Sequence, residues 1–61
     1  MEFAQWLQSR LNTHGCKTRI DGRVGPGTRK AIRQFQEREN LPVTGLADER
    51  TVKALRKQPG Q

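Results

Sequence analysis

Phe3, Leu7 and Leu11 recur every four residues with Trp6 and Arg10 beside them, a stripe that predicts an amphipathic helix over about residues 3–13. Gly15 follows the last periodic position and suits a left-handed C-terminal cap, because glycine adopts positive φ without a Cβ clash. Thr28, Ala31, Ile32 and Phe35 stand at i, i+3, i+4 and i+7 and predict a second helix from Pro26 to about Glu39. Asn40 can close it, and Leu41-Pro42 forces an extended exit. Thr51, Val52 and Leu55 form the inward face of a third helix from Asp48 to about Lys57. The predicted fold class is all-α, a small three-helix bundle.

The pattern contains a repeat. Residues 20–32 and 43–55 align at a separation of 23, with Gly22/Gly45, Thr28/Thr51, Lys30/Lys53 and Ala31/Ala54 identical and Ile20/Val43 and Ile32/Leu55 interchangeable aliphatics. These are two pseudo-repeated turn-helix units. Asp21-Gly22 is a turn signal, since the aspartate bonds an amide two residues on and the glycine tolerates positive φ. Asp48 is a side-chain N-cap with Glu49 favourable to the dipole, whereas the aligned Gly25-Pro26 starts its helix with a permissive cap and a residue lacking an N–H. The repeated threonines are expected to bond backbone near the helix entrances, and Gln36 to bond backbone or solvent.

Sixty-one residues make one domain at most, and a chain this short buries only about 60% of its unfolded surface. Every apolar residue is therefore expected to count: Phe3, Trp6, Leu7, Leu11, Cys16, Ile20, Val24, Ala31, Ile32, Phe35, Leu41, Val43, Leu46, Val52, Ala54 and Leu55 form the candidate core. One cysteine excludes an intrachain disulfide, and with a single histidine it supplies no structural zinc set. No metal or other cofactor is expected. No apolar run approaches the ~18 residues of a membrane span, and the N-terminus lacks a signal-peptide profile. The module is assigned to residues 1–57, with 58–61 a tail or the start of a linker.

Twelve Lys/Arg against six Asp/Glu leave a charge of +6, spread evenly along the chain. Either this is solubilising charge, or the partner is anionic: nucleic acid, an acidic membrane surface or a carboxylate-bearing polymer. Catalysis finds little support. His14 and Cys16 stand two apart near a helix end, without the orienting group and oxyanion donor that a nucleophilic pair needs. The carboxylates of Asp21, Glu37, Glu39, Asp48 and Glu49 occupy turn, cap and helix-end positions, not a glycosidase pair.

Leu7-Gln8-x-x-Leu11, Gly15, Asp21-Gly22-x-Val24-Gly25-x-x-Thr28-x-x-Ala31-Ile32-x-x-Phe35-Gln36, Leu41, Thr44-Gly45, Asp48-x-x-Thr51 and Leu55 together resemble the peptidoglycan-binding-domain-like modules attached to bacterial and phage cell-wall hydrolases. The resemblance covers nearly the whole chain. It departs at Cys16, where the family commonly has an aromatic or aliphatic residue, and Phe3 and Trp6 lie outside the shared motif. It implies a three-helix bundle and a non-catalytic role: attachment to peptidoglycan, targeting a covalently linked amidase, muramidase, transglycosylase or peptidase to its substrate. The implied place of action is the cell wall or periplasm. With Met1 as a natural start, the missing signal peptide suits a phage endolysin.

Peptidoglycan presents amino sugars and stem peptides ending in carboxylates, so a reader needs cationic donors and an aromatic face. Arg29 and Arg33, four apart on the second helix, are expected to offer parallel guanidinium forks. Arg19 and Arg23 project from the loop against the same helix start, whose open amides favour an anion. Trp6 either packs at the edge of the core or stacks on a sugar. Arg23 and Arg29 align with Leu46 and Val52, so binding is expected to be asymmetric and centred on the first unit, by a monomer. The competing readings are a basic helix-turn-helix DNA-binding domain and a protein-interaction module. The first is weakened because Arg50, Lys53, Arg56 and Lys57 come without an Asn or Gln in mid-helix to read base edges.

Overall fold

The computed structural model describes residues 2–59. It contains α1 (Phe3–Thr13), α2 (Pro26–Arg38) and α3 (Glu49–Leu55), with α1 packed on both of the others. These bounds follow the apolar periodicity, except that α3 stops two residues short of Lys57. Of the expected tail, Gln58 and Pro59 are described, whereas Gly60 and Gln61 lie outside the described residues. No helix among the described residues is long and apolar enough to cross a membrane.

Helices α1 and α2 end alike. Gly15 adopts φ 84° and Asn40 φ 56°. In each case the left-handed residue donates to the carbonyl three back, and its successor to the carbonyl five back: Gly15 to Asn12 and Cys16 to Leu11, then Asn40 to Glu37 and Leu41 to Gln36. This pair of bonds satisfies carbonyls that the helix leaves orphaned. Asparagine takes the second position because its short polar side chain tolerates the left-handed region better than most.

Leu7, Leu11, Cys16, Ala31, Ile32, Phe35 and Leu55 form the core, with Trp6, Leu41, Ala47 and Ala54 packed at its margin. Cys16 is buried as expected, but Phe3, Ile20, Val24, Val43 and Leu46 are exposed. Four of these five lie in the two connections. There the backbone is drawn inward by a buried glutamine amide, which turns the neighbouring side chains outward. Val52 is only half-buried, while Thr51 is fully buried.

Two arginines act as cross-braces between helices. Arg10 Nε donates to Leu55 O (2.7 Å) and its Nη2 to Lys57 O (2.8 Å), covering the end of α3. Arg38 Nη2 donates to His14 O (2.8 Å) and its Nη1 to Cys16 Sγ (3.4 Å), covering the end of α1. A guanidinium at a helix C-terminus meets both unpaired carbonyls and the negative end of the dipole. His14 joins the first brace, its Nε2 3.0 Å from Lys57 O and its ring edge-on to Phe35 at 5.1 Å between centroids. The His14 ring and the Cys16 thiol are thus engaged with separate partners.

Candidate functional site

The two turns are built around two glutamines that are completely buried. In the first, Gln8 Nε2 donates to Asp21 Oδ1 (3.0 Å), Arg23 O (2.8 Å) and Thr28 Oγ1 (3.1 Å), while its Oε1 accepts from Gly22 N (2.9 Å). In the second, Gln36 Nε2 donates to Thr44 Oγ1 (3.1 Å), Leu46 O (2.9 Å) and Thr51 Oγ1 (2.9 Å), and its Oε1 accepts from Thr44 N (2.9 Å) and Gly45 N (3.0 Å). A carboxamide supplies both a donor and an acceptor, so one side chain can satisfy a turn whose own backbone groups cannot pair. Gln36 therefore faces no solvent. Thr28 Oγ1 donates to local backbone at Arg23 O (3.4 Å), as expected, whereas the Thr51 hydroxyl is engaged by the Asp48 side chain; each hydroxyl also receives its turn's glutamine.

The turn residues differ in kind but not in use. Asp21 Oδ1 accepts from Arg23 N (2.9 Å), and Thr44 Oγ1 from Leu46 N (3.1 Å), so the two side chains stabilise the same bend. Gly22 and Gly45 follow at φ 78° and 76°, where a side chain would be strained. The Arg23 amide, and after it the Gln8 amide, hold the Asp21 carboxyl below its ordinary range. Asp48 is lowered in the same direction by the Thr51 amide, which it caps at 3.0 Å, and then by the Thr51 hydroxyl.

Beside the first turn lies an open cleft of about 320 Å³ lined by Lys17, Thr18, Arg19, Asp21, Arg23, Gly25, Gly27 and Thr28. Three cations and one carboxylate border it, and the start of α2 forms its floor. That helix start carries no side-chain cap, Gly25 having none to offer. The walls are fixed from α1. Gln8 holds the segment 21–23, and Asn12, one helical turn further on, holds Thr18: Asn12 Nδ2 donates to Thr18 O (2.8 Å) and its Oδ1 accepts from Thr18 N (3.1 Å).

The five residues expected to bind do not form one cluster. Arg19 and Arg23 share the cleft. Arg29 does not line it; its Nη1 lies 3.5 Å from Val24 O. Arg33 instead lies over the second turn, with its Nη1 3.2 Å from where a Cβ on Gly45 would stand, so the two guanidiniums point to different turns and are not a parallel fork. Trp6 stacks on Phe3 at 5.7 Å and packs against the core. Two residues from Gln8 on α1, it points roughly 200° away around the helix and so is not part of the first-turn cleft.

Lys17, Thr18, Gln8 and Asn12 were not singled out as site residues by their pattern. The available signal was a polar residue inside an apolar stripe: Gln8 follows Leu7 and Gln36 follows Phe35, each with an arginine two residues later. Such a glutamine, within reach of the bundle interior, requires internal partners.

Comparison with known proteins agrees with this construction. Over 50 residues the chain is 50% identical to the spore cortex-lytic enzyme of Bacillus cereus, which covers 80% of this chain and 19% of that protein. Over 55 residues it is 47% identical to the "Putative OxPP cycle protein OpcA" of Synechococcus elongatus, covering 90% of this chain and 12% of that protein. The chain thus spans a fifth or less of the length of these curated relatives. No solved structure gave a significant match. The family described as "Putative peptidoglycan binding domain" matches residues 1–55, which include both glutamine-centred turns and all three helices, and the chain belongs to that family.

Proposed function

We propose that this module binds bacterial cell-wall peptidoglycan without acting on it chemically, and that in its parent protein it targets a linked lytic domain to the wall. The observation that carries the reading is the family match over residues 1–55, supported by half-identity to a spore cortex-lytic enzyme. The cleft beside the first turn suits the ligand. Lys17, Arg19 and Arg23 supply donors for stem-peptide carboxylates, and the uncapped start of α2 adds amides and a favourable dipole. Arg29, Arg33 and Trp6 stand outside the cleft. A single shallow site binds weakly, and tethering converts that into a high local concentration of the catalytic domain.

The test is co-sedimentation of the 61-residue chain with purified sacculi, set against a gel shift with random duplex DNA. Binding to sacculi that Arg19→Ala with Arg23→Ala abolishes supports the site; retention on DNA alone would overturn the reading. The DNA alternative is disfavoured by α3, which is seven residues long and opens with Asp48 and Glu49 at the end that a recognition helix directs to the bases.

A second reading, a protein-interaction module, is kept because one relative, "Putative OxPP cycle protein OpcA", is not named for the cell wall. It predicts no sedimentation with sacculi.

A further inference from the structure

We infer that Gln8 and Asn12 are positioning residues for the first-turn cleft, the two carboxamides on α1 setting the relative placement of its cationic walls. This rests on the reading of that cleft as the peptidoglycan site. Asn12 grips Thr18 through both its N–H and its C=O, which fixes the backbone between Lys17 and Arg19. Gln8 grips Gly22 N and Arg23 O, which fixes the backbone that carries Arg23. The two are four residues apart on one helix, so a single rigid element holds both walls. The walls are further joined through Thr18 Oγ1 and Thr28 Oγ1 at 3.2 Å.

The second turn shows a glutamine that holds no cleft wall: the cleft of about 420 Å³ at the start of α3 is lined by Pro42, Asp48, Glu49, Arg50 and Lys53, none of them a partner of Gln36. Gln36 makes the same kind of bonds, but its first turn partner comes eight residues later, against thirteen for Gln8. The first connection, residues 14–25, is two residues longer than the second, residues 39–48, and Asn12 secures it at Thr18. Where it carries Lys17 and Arg19, the aligned positions of the second connection carry Asn40 and Pro42, neither of them cationic.

The amides touch the walls through backbone, leaving the cationic groups themselves free to meet a ligand. Loss of either amide therefore lets the arginine carriers move without removing any charge. Binding should fall by about tenfold, the lower end of what loss of outer supports costs at metal sites. Its dependence on ionic strength should flatten as well, because the cations no longer converge on one point.

The experiment measures sacculus binding by the 61-residue chain at several salt concentrations, at a temperature where circular dichroism shows each variant folded. The variants are Asn12→Ala, Gln8→Met, Gln36→Met and the pair Arg19→Ala/Arg23→Ala. The expected result is weaker, less salt-dependent binding by the Asn12, Gln8 and double-arginine variants, with Gln36→Met binding as wild type. Wild-type binding by folded Asn12→Ala and Gln8→Met, with the arginine pair impaired, overturns the positioning role and leaves the site standing. Wild-type binding by the arginine pair overturns the site and the positioning role together. Equal losses in Gln36→Met would reduce the effect to general loosening and also overturn the inference. Should Gln8→Met fail to fold, Gln8→Glu takes its place, retaining acceptance from Gly22 N.

Discussion

The first and second turns solve one problem with one device and then diverge in what they expose. Both wrap backbone around a buried glutamine from the preceding helix, bend at a left-handed glycine and return a threonine hydroxyl from the following helix. The second is closed: Asp48 caps α3, the Arg33 side chain lies over Gly45, and Leu46 is the outward residue. The first is open, with no side-chain cap on α2 and a basic cleft where the connection is longer. The difference teaches that the repeated residues maintain the fold, and that variation at the aligned positions between them is where a ligand surface can be made.

The largest test of this comparison strikes what the turns share. Phe35 is buried on α2, the helix common to both units, and Phe35→Ala should cost about 3–5 kcal/mol. Because α2 serves both, hydrogen exchange at Gly22 and Gly45 should accelerate together. Protection that survives at only one of them would show that the units fold independently.

Replacing either glutamine by methionine keeps bulk and removes the amide, at about 1–3 kcal/mol for the orphaned polar groups. Gln36→Met should be the more damaging, since Gly45 N is buried where Gly22 is partly exposed. Urea denaturation of the two variants ranks them, and the reverse order would undo the picture of a closed second turn.

Gly22→Ala and Gly45→Ala each force a side chain into the left-handed region, at about 1–2 kcal/mol. Gly45→Ala should cost slightly more, because its Cβ would meet Arg33 Nη1 at 3.2 Å whereas Gly22 meets nothing nearer than Gln5 Cγ at 3.5 Å. Equal melting temperatures would show that the arginine simply swings aside.

The smallest effect is acid sensitivity. Asp21 and Asp48 both have lowered pKa values when folded, so the stability each contributes is present above the unfolded carboxylate range, near about pH 4, and is lost as pH falls through the folded value. Asp21→Asn and Asp48→Asn should each make the melting temperature less dependent on pH below that range. An unchanged slope in one of them would mark its turn as held by the glutamine alone.

Helix positions were legible because apolar spacing reports a helical face directly: the 3–13 stripe became α1 and Gly15 its left-handed cap. The core was less legible in the connections. Ile20 and Val43 read as interior aliphatics, yet they are 54% and 52% exposed, because glutamine amides occupy the places they were expected to fill. Of the candidate site, the loop arginines Arg19 and Arg23 could be grouped from the sequence, since the chain brings them to one helix start. Arg33 could not be placed, because a long flexible side chain at an i+4 position can cover either neighbouring turn.

By itself, then, the sequence determined three helices, their starts, the caps of the first two, the doubled turn and its asymmetry of charge, all of which depend on local spacing and backbone preference. Only the tertiary structure decided that Gln8 and Gln36 are interior, that Arg10 and Arg38 brace neighbouring helices, and that Asn12 helps hold a cleft. The reason is that a polar side chain declares its role only through its partners. Those partners stand between 6 and 47 residues away along the chain, brought within hydrogen-bond distance by the packing of the helices.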